Sequence, residues 1–269
     1  VQMLCGLFES FSERELLPNI TVIVRAMQDT DVQHQLTLID ELVTTEHIDG
    51  LALMPLANTL VRDRINTLSE QQGIPVVTFN TDITDANRLA YVGADNIAAG
   101  RAAAALLGMV MQGRGSVLPI LGQRSGHYAD SQRYTGFLSE MAENFPGIRI
   151  LHPECSFLDE NLAERIASRA IHSDEEVNGF YLTSAGREGV YHAVNAAENR
   201  EKIHIVVHDI TEGNVRMVKQ GTVDFIIGQD VKTQGTLPIR LLYDYLERHQ
   251  FPKERMNITD ITIKFRCNV

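Results

Sequence analysis

The fold is decided by residues 89–101, whose sequence is LAYVGADNIAAGR. The apolar run Leu89–Val92 predicts a short buried strand, and the alanine-rich stretch Ile97–Met111 predicts a helix. Asp95 and Asn96 are candidate N-caps, because their side-chain oxygens can accept hydrogen bonds from the first free N–H groups of that helix. A strand that leads directly into a helix is typical of a parallel sheet with helical crossovers.

The same alternation extends over the whole chain and predicts an α/β fold. The predicted strands are Met3–Phe8, Ile20–Val24, Gly50–Met54, Pro75–Phe79, Leu89–Val92, Ser116–Leu121, Arg149–His152, Gly179–Thr183, His204–His208 and Asp224–Ile227. Helical patterns such as Val32–Val43 lie between them. Only about a dozen residues separate the first two strands, so either the first helix is stunted or residues are missing there.

Composition limits the possible functions. A chain of 269 residues predicts two lobes, and no apolar run approaches the roughly 18 residues that span a membrane. The net charge of -11 argues against this chain holding nucleic acid by itself. Cys5, Cys155 and Cys267 are an odd set without CxxC spacing, which favours free thiols and a cytoplasmic location. The start at Val1 has no secretion signal and no initiator Met, so we expect a trimmed fragment.

Enzyme and cofactor motifs are not found. GxSxG, HExxH, GxxxxGK and GxGxxG are all missing, so we expect neither catalysis nor a cofactor. Gly113–Gly115 precedes a predicted strand and is interpreted as a turn. His204 and His208 have the i, i+4 spacing of a helical metal site, but they lie in a predicted strand without a third ligand nearby, and no metal site is predicted.

Residues 92–100 resemble the V-G-x-D-N-x-x-A-G block of LacI/GalR-type transcription regulators and related sugar-binding proteins. Further blocks follow the order of that family and extend the resemblance over almost the whole chain. They are GIPVV at Gly73–Val77, RYTGF at Arg133–Phe137, VHD at Val207–Asp209 and QDVKTQG at Gln229–Gly235. The chain thus resembles the effector-binding domain of such a regulator, of the periplasmic-binding-protein-like type I, without its DNA-binding head.

The resemblance implies two similar lobes, each a parallel sheet flanked by helices, joined by three crossovers with a ligand between them. The implied N-lobe is 1–95 plus 231–257, and the implied C-lobe is 96–230 plus 258–269. The implied hinge residues are Ala94, Asp95, Asp230 and Thr259.

Ligands of open parallel sheets bind beyond the carboxyl ends of the strands, and this principle selects the candidate ligand-binding residues. They are Phe8, Glu9, Asn80, Asp82, Tyr128, Thr183, Ser184, Asp209 and Gln229, and the resemblance adds Arg133. Such a set offers the paired donors and acceptors and the flat apolar surface that a polyol needs. By resemblance, Arg133, Asp209 and Gln229 match the family's ligand-contacting Arg, Asp and Gln. The expected effector is sugar- or polyol-like. Asn80 and Thr183 stand where sugar binders often carry Asp and Asn, and these two departures, with the absence of any Trp for stacking, argue against a plain hexose or pentose.

Several of these residues have a structural alternative. Arg133 could make only a surface ion pair, Asp209 could cap the helix after Thr211, and Gln229 could act only as a hinge. Asp95 and Asn96 are explained better by helix capping and hinge geometry than by ligand contact.

Two functions remain open. In a regulator, effector binding reorients the lobes and changes the affinity of a homodimer for operator DNA, through N-terminal helix-turn-helix heads that are not in this chain. An extracytoplasmic solute-binding protein of an ABC transporter uses the same motion without DNA. The wording of the 92–100 block, the unpaired cysteines and the tail Ile261–Arg266 favour the regulator.

Overall fold

The computed structural model describes residues 20–27, 29–122, 128–173, 176–184 and 186–269. Contacts within the chain divide it into two compact units. The first contains the described residues up to Ala94 together with Asp230–Asp260, and the second contains Asp95–Gln229 together with Ile261–Val269. None of the helices in the described ranges is both long and apolar enough to span a membrane.

Each unit is built on its own sheet. The strands are β1 (Leu51–Leu53), β2 (Val76–Phe79), β3 (Ala90–Ala94), β4 (Gly115–Leu121), β5 (Ile148–Ile150), β6 (Glu154–Cys155), β7 (Gly179–Leu182), β8 (His204–His208), β9 (Phe225–Gln229), β10 (Met256–Thr259) and β11 (Ile261–Lys264). The helices are α1 (Val32–Thr44), α2 (Thr59–Gln71), α3 (Asn96–Val110), α4 (Tyr128–Asn144), α5 (Glu160–Ile171), α6 (Glu188–Ala196), α7 (Glu212–Gln220) and α8 (Val231–Arg248).

The order of the strands and their pairing confirm the predicted α/β fold with parallel sheets flanked by helices. In the described residues the first sheet has the order β1-β2-β3-β10, and the second has the order β11-β9-β8-β7-β4-β5, with β6 also paired to β4. All of these pairings are parallel except that of β11 with β9, which is antiparallel. The antiparallel strand is a departure from the purely parallel sheets that were predicted.

Both faces of the second sheet are covered, which explains why its central strands, such as β7, are largely apolar. Along β7, Phe180 and Leu182 pack into one core with α5 and α6. Tyr181 points to the other face and packs into a second core with α3 and α4. Successive side chains of a strand point to opposite faces, so an unbroken apolar strand requires an apolar layer on each side.

Residues 89–101 contain β3 and the first part of α3. Asp95 is the N-cap, and its carboxylate accepts a hydrogen bond from the Ala98 N–H at 2.9 Å. Asn96 is the first helical residue and not the cap. The capping role was therefore predicted correctly for Asp95 and wrongly for Asn96.

Other segments depart from the predicted elements. Ile20–Val24 is not a strand, although Ile20, Val22 and Val24 pack partly buried against the core of the first unit. Alternating β-branched residues can be buried without forming a strand, because a strand also needs a neighbouring strand for its backbone hydrogen bonds. The predicted strand Met3–Phe8 lies outside the described residues, and so does the whole of the short segment 9–19 that follows it.

Helices α3 and α4 approach closely because two glycines lie at their contact. A Cβ atom at Gly100 would overlap the carbonyl oxygen of Arg133, and one at Gly136 would overlap the carbonyl oxygen of Ile97. Both glycines belong to the sequence blocks that decided the fold. Their physical role is to let the two helix backbones meet.

We predict that Gly100→Ala lowers the free energy of unfolding by roughly 1–3 kcal/mol, because the added methyl group overpacks a contact between rigid backbones. Chemical denaturation of wild type and variant measures the change. Gly213→Ala in α7 is the matched control, since its added Cβ would meet only side-chain atoms, the end of the flexible Glu188 at 3.1 Å and the Thr211 hydroxyl at 3.9 Å. Equal stability of Gly100→Ala and wild type would contradict the packing argument.

Two histidines at opposite ends of β8 have opposite environments. His204 is paired with Asp224 at 3.2 Å, and this hydrogen bond raises the pKa of His204 above its ordinary value of 6.5. His208 is fully buried, with its Nε2 2.9 Å from the Tyr181 hydroxyl. Burial, and then the nearby Arg133 and Arg187 guanidinium groups, hold the pKa of His208 well below 6.5. The two histidines have different partners, and the described residues contain no group of three or more His, Cys, Asp or Glu side chains that could hold a metal ion.

These pKa shifts predict opposite pH dependences. The stabilisation from His204 is complete below the unfolded pKa of about 6.5 and is lost as pH rises through the higher folded pKa. The neutral His208 loses stability as pH falls below about 6.5, because only the unfolded state then takes up the proton. The stability advantage of wild type over His204→Gln should therefore grow on acidification, and its advantage over His208→Gln should shrink. Denaturation at pH 5, 6.5 and 8 measures both slopes, and parallel slopes would refute the assignment.

Candidate functional site

The best-formed cluster of polar groups lies at the carboxyl edge of the second sheet. β7, β8 and β9 are parallel neighbours, so the residues that end or follow them meet at one edge. Thr183 follows β7, Asp209 follows β8 and Gln229 is the last residue of β9. Arg133 joins them from α4.

Asp209 is the centre of this cluster and has an uncommon backbone conformation. Its φ of 70° lies in the left-handed region, which Asp tolerates better than most residues. The Asp209 N–H donates to the Ile227 carbonyl at 2.8 Å, and the Asn214 amide donates to the carbonyls of Asp209 at 2.7 Å and His208 at 3.1 Å. The Asp209 side chain keeps 37% of its surface exposed, so a backbone held on both sides presents an accessible carboxylate.

The capping alternative for Asp209 is wrong. The N-cap of α7 is Thr211, whose hydroxyl accepts a hydrogen bond from the Asn214 N–H at 3.2 Å. Residues with a strained backbone, such as Asp209 with its positive φ, persist where the surrounding structure holds them, and they concentrate at functional sites.

The side chain of Arg133 lies next to the Asp209 carboxylate. Its side chain is only 6% exposed, so the surface ion pair considered for it is wrong. Nε donates to the Asn96 amide oxygen at 3.1 Å, and one terminal nitrogen donates to the Thr183 carbonyl at 2.7 Å. The other terminal nitrogen, Nη2, lies 3.8 Å from Asp209 Oδ1.

Gln229 completes the predicted set at this edge. Its Nε2 donates to Asp209 Oδ1 at 2.9 Å, so the side chain of a strand-terminal residue orients the carboxylate. The structure thus brings Arg133, Asp209, Gln229 and the Thr183 backbone together. Whether these residues bind a ligand stays a prediction.

Thr183 and Ser184 contribute differently from one another. Thr183 is fully buried, and its hydroxyl has no hydrogen-bond partner among the described residues. Ser184 lines a small depression together with Ser156, Gly186 and Arg187. Only Ser184 of this pair therefore presents its side chain at an open surface.

Sequence reasoning missed Arg187, which approaches Asp209 from the other side. Its side chain is 7% exposed, Nη1 donates to the His208 carbonyl, and Nη2 lies 3.9 Å from Asp209 Oδ2. Arg187 stands just before α6, in the segment after β7 that also carries Thr183 and Ser184. The position after a strand was the signal that could have found it.

Sequence reasoning also missed Phe157, because the sequence gives no signal of the turn that contains it. Phe157 and Leu158 both have left-handed backbones, with φ of 52° and 64°, and the Asp159 N–H closes the turn on the Ser156 carbonyl at 2.9 Å. Asn-Gly is the usual pair in such a turn, so Phe-Leu here is strained. The Phe157 side chain is 58% exposed, which gives this end of the sheet an apolar aromatic surface.

In the first unit, Asn80 has a conformation like that of Asp209. It follows β2 with a φ of 61°, and its N–H donates to the Val92 carbonyl at 2.9 Å. Its amide donates to Gln234 Oε1 at 3.1 Å, and the buried Gln234 in turn donates to the Thr259 hydroxyl at 3.2 Å. The Asp82 carboxylate is engaged within the unit by Arg88 and Thr78.

The remaining predicted residues have simpler outcomes. Phe8, Glu9 and the side chain of Tyr128 lie outside the described residues. Asp230 is the N-cap of α8, and its hydrogen bonds from Thr233 lower the pKa of its carboxyl. The unit boundaries fall after Ala94, Gln229 and Asp260, and the hinge role of Ala94, Asp95, Asp230 and Thr259 stays a prediction.

The chemistry of the cluster is that of hydrogen bonding to a polar molecule. One accessible carboxylate accepts, while two guanidinium groups and an amide offer N–H donors beside it. An exposed aromatic ring at the same edge offers a flat surface for C–H groups. Hydrogen bonds within the unit hold the carboxylate and the two guanidinium groups in place.

Comparisons with known proteins agree with the fold. The chain is similar in structure to GanP, a glucose-galactose binding protein from Geobacillus stearothermophilus (TM-score 0.88, 22% identity, covering 100% of this chain and 93% of that one). It is similar to a sugar-binding protein of a sugar ABC transporter from Bacillus halodurans (TM-score 0.86, 24% identity, 99% and 93%). It is also similar to a protein named as a LacI transcriptional regulator from Bacteroides fragilis (TM-score 0.85, 20% identity, 99% and 92%).

Identities at this level show the fold alone, and comparison with curated protein sequences gives no significant match. The family model described as "Periplasmic binding protein domain" matches residues 11–250, which is most of the chain. The chain therefore belongs to the periplasmic binding protein domain family.

Proposed function

We propose that this chain binds a sugar or a sugar-like polyol at the carboxyl edge of its second sheet. The observation that carries the proposal is the Asp209 carboxylate, held in an accessible position between two buried arginines and oriented by Gln229. Adjacent hydroxyl groups need an acceptor and donors placed side by side, and this cluster offers both. The exposed Phe157 ring supplies the apolar surface that the C–H face of a sugar needs.

Relatives and neighbours support the same ligand class. The matching family is one of binding proteins, and the names of two structural neighbours give glucose, galactose or sugar as their ligand. We propose binding without catalysis, by a chain of two lobes, with 1–95 plus 231–257 as one lobe and 96–230 plus 258–269 as the other.

For the use of this binding, we propose the effector domain of a LacI-type regulator. The support is the V-G-x-D-N-x-x-A-G block, the free thiols of Cys155 and Cys267, and the LacI-named neighbour. This proposal carries with it a homodimer, a cytoplasmic location, and operator DNA bound through a helix-turn-helix outside this chain. The alternative, a solute-binding protein of an ABC transporter, is favoured by the name of the Bacillus halodurans neighbour.

The coding sequence upstream of Val1 distinguishes these two uses. A helix-turn-helix of roughly 60 residues supports the regulator, because such heads read operator half-sites in pairs. A secretion signal there would refute the regulator and support the transporter component.

The sugar proposal predicts a rise in melting temperature with at least one member of a panel of D-glucose, D-galactose, L-arabinose, D-mannitol, D-gluconate and myo-inositol, which covers plain sugars as well as sugar-like polyols, since a ligand that binds only the folded state stabilises it. Calorimetry then gives the affinity of each binder. Asp209→Asn should weaken the tightest binder by at least about tenfold, because a hydrogen bond to a charged group contributes roughly 1.5–3 kcal/mol.

Asn tolerates the left-handed backbone as Asp does, so the variant should fold normally. Asp63→Asn on the exposed surface of α2 makes the same change in charge and should bind like wild type. No response to any member of the panel would refute the proposed ligand class. Equal affinity of wild type and Asp209→Asn would refute the site.

A further inference from the structure

We propose that Arg187 contacts the ligand and determines its specificity, in a role equivalent to that of Arg133 on the opposite side of Asp209. Each arginine would share one ligand hydroxyl with one carboxylate oxygen, so that the three residues recognise two neighbouring hydroxyl groups. This inference rests on the proposed sugar binding and adds the residue that reads the second hydroxyl.

The distances carry the inference. Nη2 of Arg133 is 3.8 Å from Asp209 Oδ1, and Nη2 of Arg187 is 3.9 Å from Oδ2. Both separations exceed the roughly 3.2 Å limit of a good N–H···O hydrogen bond. In the described part of the chain neither Nη2 donates a hydrogen bond to any other group. Two buried donors therefore point at one carboxylate from which each is slightly too far.

A hydroxyl group is the ligand that fits such a gap. It accepts one hydrogen bond from an N–H donor and donates one to a carboxylate, which neither a carbonyl nor an ammonium can do. Placed beside Nη2 and Oδ at ordinary distances of about 2.8–2.9 Å, it would bridge the pair. The same arrangement occurs at Oδ1 and at Oδ2, so the cluster is built for two hydroxyls on adjacent carbons.

The remaining contacts of Arg187 do not account for its burial. Its Nη1 donates to the His208 carbonyl, but that carbonyl already accepts from the Asn214 amide at 3.1 Å. The Asn214 amide is itself oriented by the Tyr191 hydroxyl, which donates to its oxygen at 2.7 Å. The backbone around Asp209 thus keeps a donor without Arg187, and burying a guanidinium for one redundant hydrogen bond is unfavourable.

The test is a cycle between protein and ligand variants. Wild type, Arg187→Met and Arg187→Lys are titrated by calorimetry with the tightest binder of the six-member panel and with its monodeoxy analogues at each carbon. For wild type, we expect one deoxy analogue to bind at least about tenfold more weakly than the parent sugar. For Arg187→Met, we expect that same analogue and the parent sugar to bind with equal affinity, because the residue that contacts the missing hydroxyl is gone. Arg187→Met should also bind the parent at least about tenfold more weakly than wild type.

Arg187→Lys separates hydrogen-bond geometry from charge. A single ammonium keeps the positive charge but not the fork that reaches the His208 carbonyl and a hydroxyl together, so this variant should also bind weakly. Arg216→Met is the matched control, since Arg216 is exposed on α7 and the change in charge is the same. Melting temperatures of all variants without sugar show whether each is folded.

The outcomes separate this inference from the proposed function. If wild type binds a panel member and Arg187→Met binds it equally well, the inference fails and the proposed function stands. The role of Arg187 is also overturned if Arg187→Lys binds the parent sugar as tightly as wild type does. It is overturned as well if removal of each hydroxyl weakens binding by the same factor in wild type and in Arg187→Met. If wild type binds no member of the panel, the proposed function fails and this inference falls with it.

Discussion

The proposed ligand site depends on the left-handed backbone of Asp209. A residue in that conformation turns its side chain out of the strand direction, and it is retained only where neighbouring groups hold it. Here the Ile227 carbonyl and the Asn214 amide hold the peptide units on either side, and the Tyr191 hydroxyl fixes the orientation of that amide. Without these contacts the carboxylate would have no fixed position, and the arginines on its two sides would have no common target.

The arrangement of charges around Asp209 follows from the position of its carboxylate. Two guanidinium groups, each about as buried as a core side chain, flank one partly exposed carboxylate. His208 precedes Asp209 as the last residue of β8, and it packs edge-on against Tyr181, which is itself stacked on Phe137. Because burial and the two arginines hold the pKa of His208 well below neutrality, no third positive charge forms under the site. The imidazole next to the Asp209 cluster therefore stays neutral, and the charges that face the carboxylate are those of the two arginines.

Much of this arrangement could be predicted from the sequence. The apolar runs and their spacing predicted the α/β fold, and the sequence blocks led to Arg133, Asp209 and Gln229, which the fold brings into one cluster. Gly100 and Gly136 explain part of those blocks, because only glycine permits the approach of α3 to α4. Arg187 and Phe157 could not be found in this way. Neither belongs to a quoted block, and the strained turn that exposes Phe157 depends on a tertiary context that overrides the preference of Phe for a right-handed backbone.

A crystal structure with a bound sugar or polyol tests the central claim most directly. The account predicts ligand oxygens within about 3 Å of both carboxylate oxygens of Asp209, with the backbone of that residue still at positive φ. A ligand bound elsewhere, or an Asp209 carboxylate that contacts only protein atoms while the ligand is present, would contradict it.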